Sequence, residues 1–106
     1  DAVNNLEEIS SVDGLDGTII GPYDLSGSMG KPGSYDDLEV LEVLQSYEMI
    51  SKKTGKPMGY HVVEPDYRLV LEKIKAGYTF IGFSLDTLLL GSMCKQQLDQ
   101  LKAEMR

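Results

Sequence analysis

The apolar residues of this chain follow two periods, and the alternation between them sketches the fold. Val3, Leu6 and Ile9 recur at three-residue spacing opposite Glu7-Glu8, with Asp1 near the start, which predicts a helix over residues 1–10. Thr18-Ile19-Ile20 is a β-branched run bounded by Gly17 and Gly21, too short for a helix and suited to a buried strand. Residues 22–35 carry no period and read as a long glycine-rich loop. Leu38, Leu41 and Leu44, with Val40, Val43, Tyr47 and Ile50 beside them, form a broad stripe that predicts a helix over 36–54. Asp36-Asp37 is its solvated start, Ser34 and Asp37 make an imperfect capping box, and Lys52-Lys53 and Gly55 suit its end. Pro57–Val63 reads as a second strand, and Pro65 as the first residue of a helix whose inner face is Tyr67, Val70, Leu71 and Ile74. Gly77 ends that helix and Tyr78–Ser84 is a third strand. Asp86 caps a short turn through Leu90, and a last helix places Cys94, Leu98, Leu101 and Met105 in a narrow stripe suited to packing on another element.

The order is α-β-α-β-α-β-α, with connections long enough for parallel crossovers, so the class is α/β. The three strands are nearly continuous in apolar residues, the pattern of strands covered on both faces. At 106 residues the chain is one domain's worth, and 42% hydrophobic with 25% charged residues is a globular balance. A net charge of −7 without a basic cluster excludes a nucleic-acid surface. No apolar run approaches the roughly 20 residues of a membrane span. Cys94 stands alone, which rules out a disulfide framework, fits a reducing cytoplasm, and reads as a small packing residue. The chain opens on Asp1 without a signal peptide, the beginning expected of a fragment.

Candidate chemistry gathers where the first strand stops. Gly21-Pro22 ends the ladder, because proline offers no N–H and fixes its own φ. Tyr23 and Asp24 follow at the strand's C-terminal end, where α/β folds bind ligands. Asp24 is placed either to hold a metal or substrate or to cap a turn. His61, the only histidine, lies near the end of the second strand, where Glu64 is positioned to orient it; it reads as a base near neutral pH or as packing. Asp86 reads as a cap rather than a ligand.

Gly21-Pro-Tyr-Asp-Leu-Ser26 and the following Gly27-Ser-Met-Gly-Lys-Pro-Gly33 resemble the signature loop of the HpcH/HpaI aldolases. Val12-Asp-Gly-Leu-Asp-Gly17, Gly55-Lys-Pro-Met-Gly59 and the stretch from Gly77 to Leu90 match in the same order, so the resemblance covers nearly the whole chain. It implies a metal-dependent class II pyruvate aldolase on a (β/α)8 barrel. Such a barrel needs about 250 residues. Residues 1–106 then form its C-terminal part, from the helix after strand five. The resemblance further implies that Asp24 is a ligand of a divalent ion (Mg²⁺, Mn²⁺ or Co²⁺). Gly21, Pro22, Tyr23 and Asp24 would bind the 2-oxo acid, pyruvate, with main-chain amides of Tyr23 and Asp24 on its carboxylate. An aldehyde is the second small-molecule partner. The second carboxylate ligand, the catalytic histidine with its aspartate, and an arginine fall in the part not represented, so no catalytic residue of the family maps onto this chain. A homo-oligomer, or association with the missing N-terminal part, is expected. Two other readings share the pattern: a half-barrel binding or assembly module without catalysis, and a lyase acting on citrate-like acyl thioesters.

Overall fold

The computed structural model describes residues 1–106. Its elements are α1 (Leu6–Ser10), β1 (Thr18–Ile20), α2 (Pro22–Ser28), α3 (Leu38–Thr54), β2 (Met58–Val62), α4 (Tyr67–Ala76), β3 (Phe80–Phe83) and α5 (Asp86–Glu104). The strands form one parallel sheet in the order β1-β2-β3. Thr18 pairs with Met58 and Ile20 with Tyr60; Gly59 pairs with Phe80 and Val62 with Phe83.

Helices cover one face of this sheet. Ile20, Met58, Tyr60 and Val62 point to that side and form the core with Leu6, Tyr47 and Tyr78. Three tyrosines give this core its polar connections. The Tyr47 hydroxyl donates to the carbonyl oxygens of Thr18 (3.0 Å) and Gly59 (3.3 Å), accepts from the Gly59 amide (3.2 Å), and meets Thr18 Oγ1 at 3.0 Å. It thereby ties α3 to β1 and β2 at once. The Tyr78 ring stacks on Tyr47 and meets Tyr60 edge-on, while its hydroxyl donates to Glu48 at 2.9 Å. Burial, reinforced by Glu48, raises the Tyr78 hydroxyl well above the usual phenol range, and burial pushes Tyr60 up to about 12. Lys73 of α4 closes the cluster from above, its Nζ 4.0 Å from the Tyr60 ring centroid; burial lowers its pKa.

The other face of the sheet lies open: the strands carry the apolar pattern of burial on both sides, and this chain supplies the cover for one. Ile19 and Phe80 on that face are 50% and 53% exposed. Three strands from a longer parallel arrangement keep the apolar sequence of a two-sided burial even where only one side is supplied.

Several element boundaries also differ from the expected ones. Asp1–Asn5 form turns, and the first helix is confined to Leu6–Ser10. Residues 22–28 are helical rather than loop, because Pro22 sits at the position where its fixed φ helps, and the Leu25 amide bonds back to the Gly21 carbonyl at 2.9 Å. Asp37, not a Ser34–Asp37 box, caps α3 by accepting from the Glu39 amide. Asp66 likewise caps α4, leaving Pro65 in the bend before it. On α4, Leu69, Val70 and Ala76 pack toward the core, whereas Tyr67, Leu71 and Ile74 are exposed. Its apolar stripe is wider than the strip that β2 and β3 cover.

The last helix departs furthest. It is continuous from Asp86, with Leu85 at the cap position, and Asp86 only accepts from the adjacent Thr87 amide at 2.7 Å. No residue of α5 is buried, and the Cys94, Leu98, Leu101 and Met105 stripe faces solvent, so Cys94 is not a packing residue here. The radius of gyration is 17.1 Å, against about 13 Å for a compact chain of this length. The 60 Å long axis reflects that projecting helix.

Candidate active site at the carboxyl end of the sheet

Gly21, in extended conformation, joins β1 to α2 and brings Asp24 back over the strand it has just left. A Cβ added to Gly21 would lie 2.7 Å from Asp24 Oδ2. Glycine is therefore what allows the carboxylate to rest against the end of β1. The Asp24 side chain makes no hydrogen bond or ion pair and does not cap a turn. It lines a cavity of about 450 Å³ with Asp1, Asn4, Ile19, Gly21 and Ser28 among its walls. In α2 the Leu25 amide is the first to bond within the helix. The amides of Tyr23 and Asp24 are consequently left without an intrahelical acceptor. The Tyr23 ring is 58% exposed, and Pro22 is buried beneath the loop.

The loop that follows is stapled in place. Ser26 is fully buried; its hydroxyl donates to the Tyr23 carbonyl and accepts from the Gly33 amide, both at 3.0 Å, while its carbonyl accepts from the Lys31 amide at 2.8 Å. Lys31 Nζ bridges Asp37 and Glu39, each at 2.8 Å, and the lysine hydrogen bond holds the Asp37 carboxyl below its usual range. Ser26 is thus the organiser of this loop, a role that the sequence signalled only by placing a serine two residues after Asp24.

His61 does not turn to Glu64. Its Nε2 lies 3.1 Å from the Ser84 carbonyl oxygen across β3. Ser84 is the one non-glycine residue with positive φ (56°), and its hydroxyl is the one buried side-chain polar atom without a partner. Nothing in the sequence around Ser84 marked it.

The fold that holds this site, a three-stranded parallel sheet with helices on one face, has counterparts among known proteins. The profile of the HpcH/HpaI aldolase/citrate lyase family matches residues 1–92. The chain belongs to that family. The 2-keto-3-deoxy-L-rhamnonate aldolases of Escherichia coli O6:K15:H31 and Shigella dysenteriae serotype 1 are each 33% identical over 102 residues, 96% of this chain and 38% of theirs. A family member of known structure from Burkholderia cenocepacia superposes with a TM-score of 0.87 at 26% identity, covering 94% of this chain and 38% of that one. An HpcH/HpaI aldolase from Desulfitobacterium hafniense superposes at 0.85 and 24% identity, covering 95% and 39%, and speaks for the fold alone. The chain spans well under half the length of these HpcH/HpaI relatives, and its sheet is a partial (β/α)8 barrel. No helix is long and apolar enough to cross a membrane.

Proposed function

We propose that a barrel completed around this chain is a divalent-metal-dependent aldolase or lyase. It makes or breaks a carbon–carbon bond, releasing pyruvate or a similar 2-oxo acid from a 4-hydroxy-2-oxo acid and leaving an aldehyde. The observation that carries this reading is the Asp24 carboxylate, unpaired and folded over Gly21 at the C-terminal end of β1. The names of the rhamnonate aldolase relatives support the reaction class.

The donor chemistry fits a hard cation, since carboxylate oxygens suit Mg²⁺, Mn²⁺ or Co²⁺. No three His, Cys, Asp or Glu side chains converge within residues 1–106, so Asp24 would act as one member of a ligand set shared with other strands. When bound, the ion supplies Lewis-acid polarisation of the substrate's 2-oxo group. The residues of this chain bind and orient. Asp24 would hold the ion, and the free amides of Tyr23 and Asp24 would donate to the substrate carboxylate. Gly21 admits both by lacking a side chain. Residues 1–106 alone would show no aldolase activity, and their open sheet face would drive association with the rest of a barrel or with copies of the chain.

The test is Asp24→Asn in the complete barrel, followed by pyruvate release with Mn²⁺ and by calorimetric metal titration. Loss of a charged group that acts on the reacting centre is expected to lower turnover by about 100- to 1,000-fold, with weakened metal binding and an unchanged melting temperature. Turnover and metal affinity at wild-type levels would overturn the assignment.

A further inference from the structure

His61 occupies a place that the residue roles proposed above leave unused. Side chains alternate along β2, so Met58, Tyr60 and Val62 point to the helix-covered face while Gly59 and His61 point to the open one. The neighbours confirm this: a Cβ on Gly59 would meet Ile19 and Phe80, and a Cβ on Gly82, the register partner of His61, would lie 3.4 Å from the His61 ring. Ile20 pairs with Tyr60, so one further step along both strands sets Gly21 beside His61. The Cβ direction at Gly21, two residues after Ile19, is the one that points at the Asp24 carboxylate. Gly21, over which the Asp24 carboxylate of α2 folds, and His61 therefore stand side by side where two neighbouring strands about 4.8 Å apart run out, with their Cβ directions on the same face of the sheet. No ion pair joins the Asp24 carboxylate to His61, and each lines a cavity of its own, Asp24 beside Asp1 and Ser28, His61 beside Tyr35 and Glu64.

Two local features serve this histidine. Gly82 leaves space for the ring to lie across β3. The left-handed backbone at Ser84 turns a carbonyl toward it, and that carbonyl is 3.1 Å from Nε2. A carbonyl oxygen only accepts, so Nε2 carries the proton, and the lone pair of the neutral ring lies on Nδ1, which has no partner in the chain. A residue in left-handed backbone whose carbonyl faces Nε2 of a histidine at a strand's C-terminal end leaves the other nitrogen for use.

We infer that His61 touches the substrate, its Nδ1 accepting a hydrogen bond from a hydroxyl of the aldehyde-derived portion and so selecting hydroxylated aldehydes. This rests on the aldolase reading, and the tests separate the two. With the complete barrel, pyruvate and Mn²⁺, the acceptors to compare are glyceraldehyde and propanal, which share three carbons and differ in hydroxyls. His61→Phe keeps the ring shape and removes the acceptor. It should lower kcat/KM for glyceraldehyde about tenfold relative to propanal, mainly through KM, the scale of one hydrogen bond. His61→Gln, which retains an acceptor, should recover most of the loss. Equal losses on both aldehydes in both variants would reduce His61 to a structural residue and overturn the inference. A second arm does not depend on turnover. In histidine-¹⁵N-labelled protein, glyceraldehyde should move the His61 Nδ1 resonance and propanal should not. Absence of that shift overturns the inference whether or not the protein is an aldolase. A shift in a protein that turns over neither aldehyde upholds the contact and overturns the aldolase reading alone.

Discussion

The two faces of the sheet are built from the same strands and have opposite characters. On the covered face every large side chain is engaged: Ile20, Met58, Tyr60 and Val62 pack on Tyr47 and Tyr78, and the tyrosine hydroxyls are tied to main chain or to Glu48. On the open face, glycines at 21, 59 and 82 alternate with Ile19, His61 and Phe80, the Asp24 carboxylate has no partner, and His61 has one, the Ser84 carbonyl. The difference separates two demands on one element. Stability is drawn from the covered face, where burial is worth about 25 cal/mol per Å² of apolar surface. The open face keeps glycines where the Asp24 carboxylate and the His61 ring lie close to the backbone.

If that division is right, damage on each face should show in a different measurement. The largest stability effect is expected from Tyr47→Phe. It deletes a buried hydroxyl bonded to Thr18 and Gly59 and leaves the Gly59 amide short of a partner, a loss of about 2 kcal/mol. Urea unfolding of the complete barrel would read it, and kcat in the folded fraction should be preserved. A large drop in kcat at unchanged stability would break the division. Gly21→Ala is expected to do the reverse. The new Cβ falls 2.7 Å from Asp24 Oδ2, so the carboxylate must swing away. Metal affinity and turnover should fall by roughly 10- to 100-fold with little change in the urea midpoint. Tyr23→Phe, altering only an exposed ring, should stay within about twofold of wild type, a surface change of the ordinary kind. Equal damage from the two would argue against a role for main-chain amides. The smallest effect is a gain. Ser84→Gly removes both the strained φ and the orphan hydroxyl and should raise stability by about 1 kcal/mol, seen as a higher urea midpoint. Because the carbonyl that faces His61 is retained, the glyceraldehyde preference should survive.

Much of the covered face was legible in the sequence because periodicity reports burial directly. The α3 helix, the apolar β2 and the two helix-ending glycines at 55 and 77 form as their spacing predicts, although α3 buries Val40 and Tyr47 and leaves Leu38 and Leu41 of the expected stripe exposed. The Gly21–Asp24 stretch drew attention through a Gly-Pro stop, and the structure adds that the glycine's vacancy is filled by the carboxylate itself. What escaped was whatever depends on a third element. Residues 22–28 look aperiodic because a seven-residue helix containing Gly27 shows too few turns to reveal a stripe. The orientation of His61 follows from Ser84, 23 residues away, through a backbone carbonyl that no side-chain pattern encodes. The α4 and α5 stripes were read correctly as apolar, but periodicity names a face without saying what lies opposite it.

The helix α5 shows what that silence costs in time rather than in energy. It is 19 residues long, carries Gly91 near its middle and has no buried side chain. Glycine there removes about 1 kcal/mol of intrinsic helicity, and isolated helices of this size are marginal in water. No buried contact holds it, so α5 on its own is expected to open on the submicrosecond clock of a free peptide, well before β2 unfolds. Its amides would surrender their hydrogens to solvent long before those of α3, and a trypsin-like protease would cut first after Lys95 or Lys102.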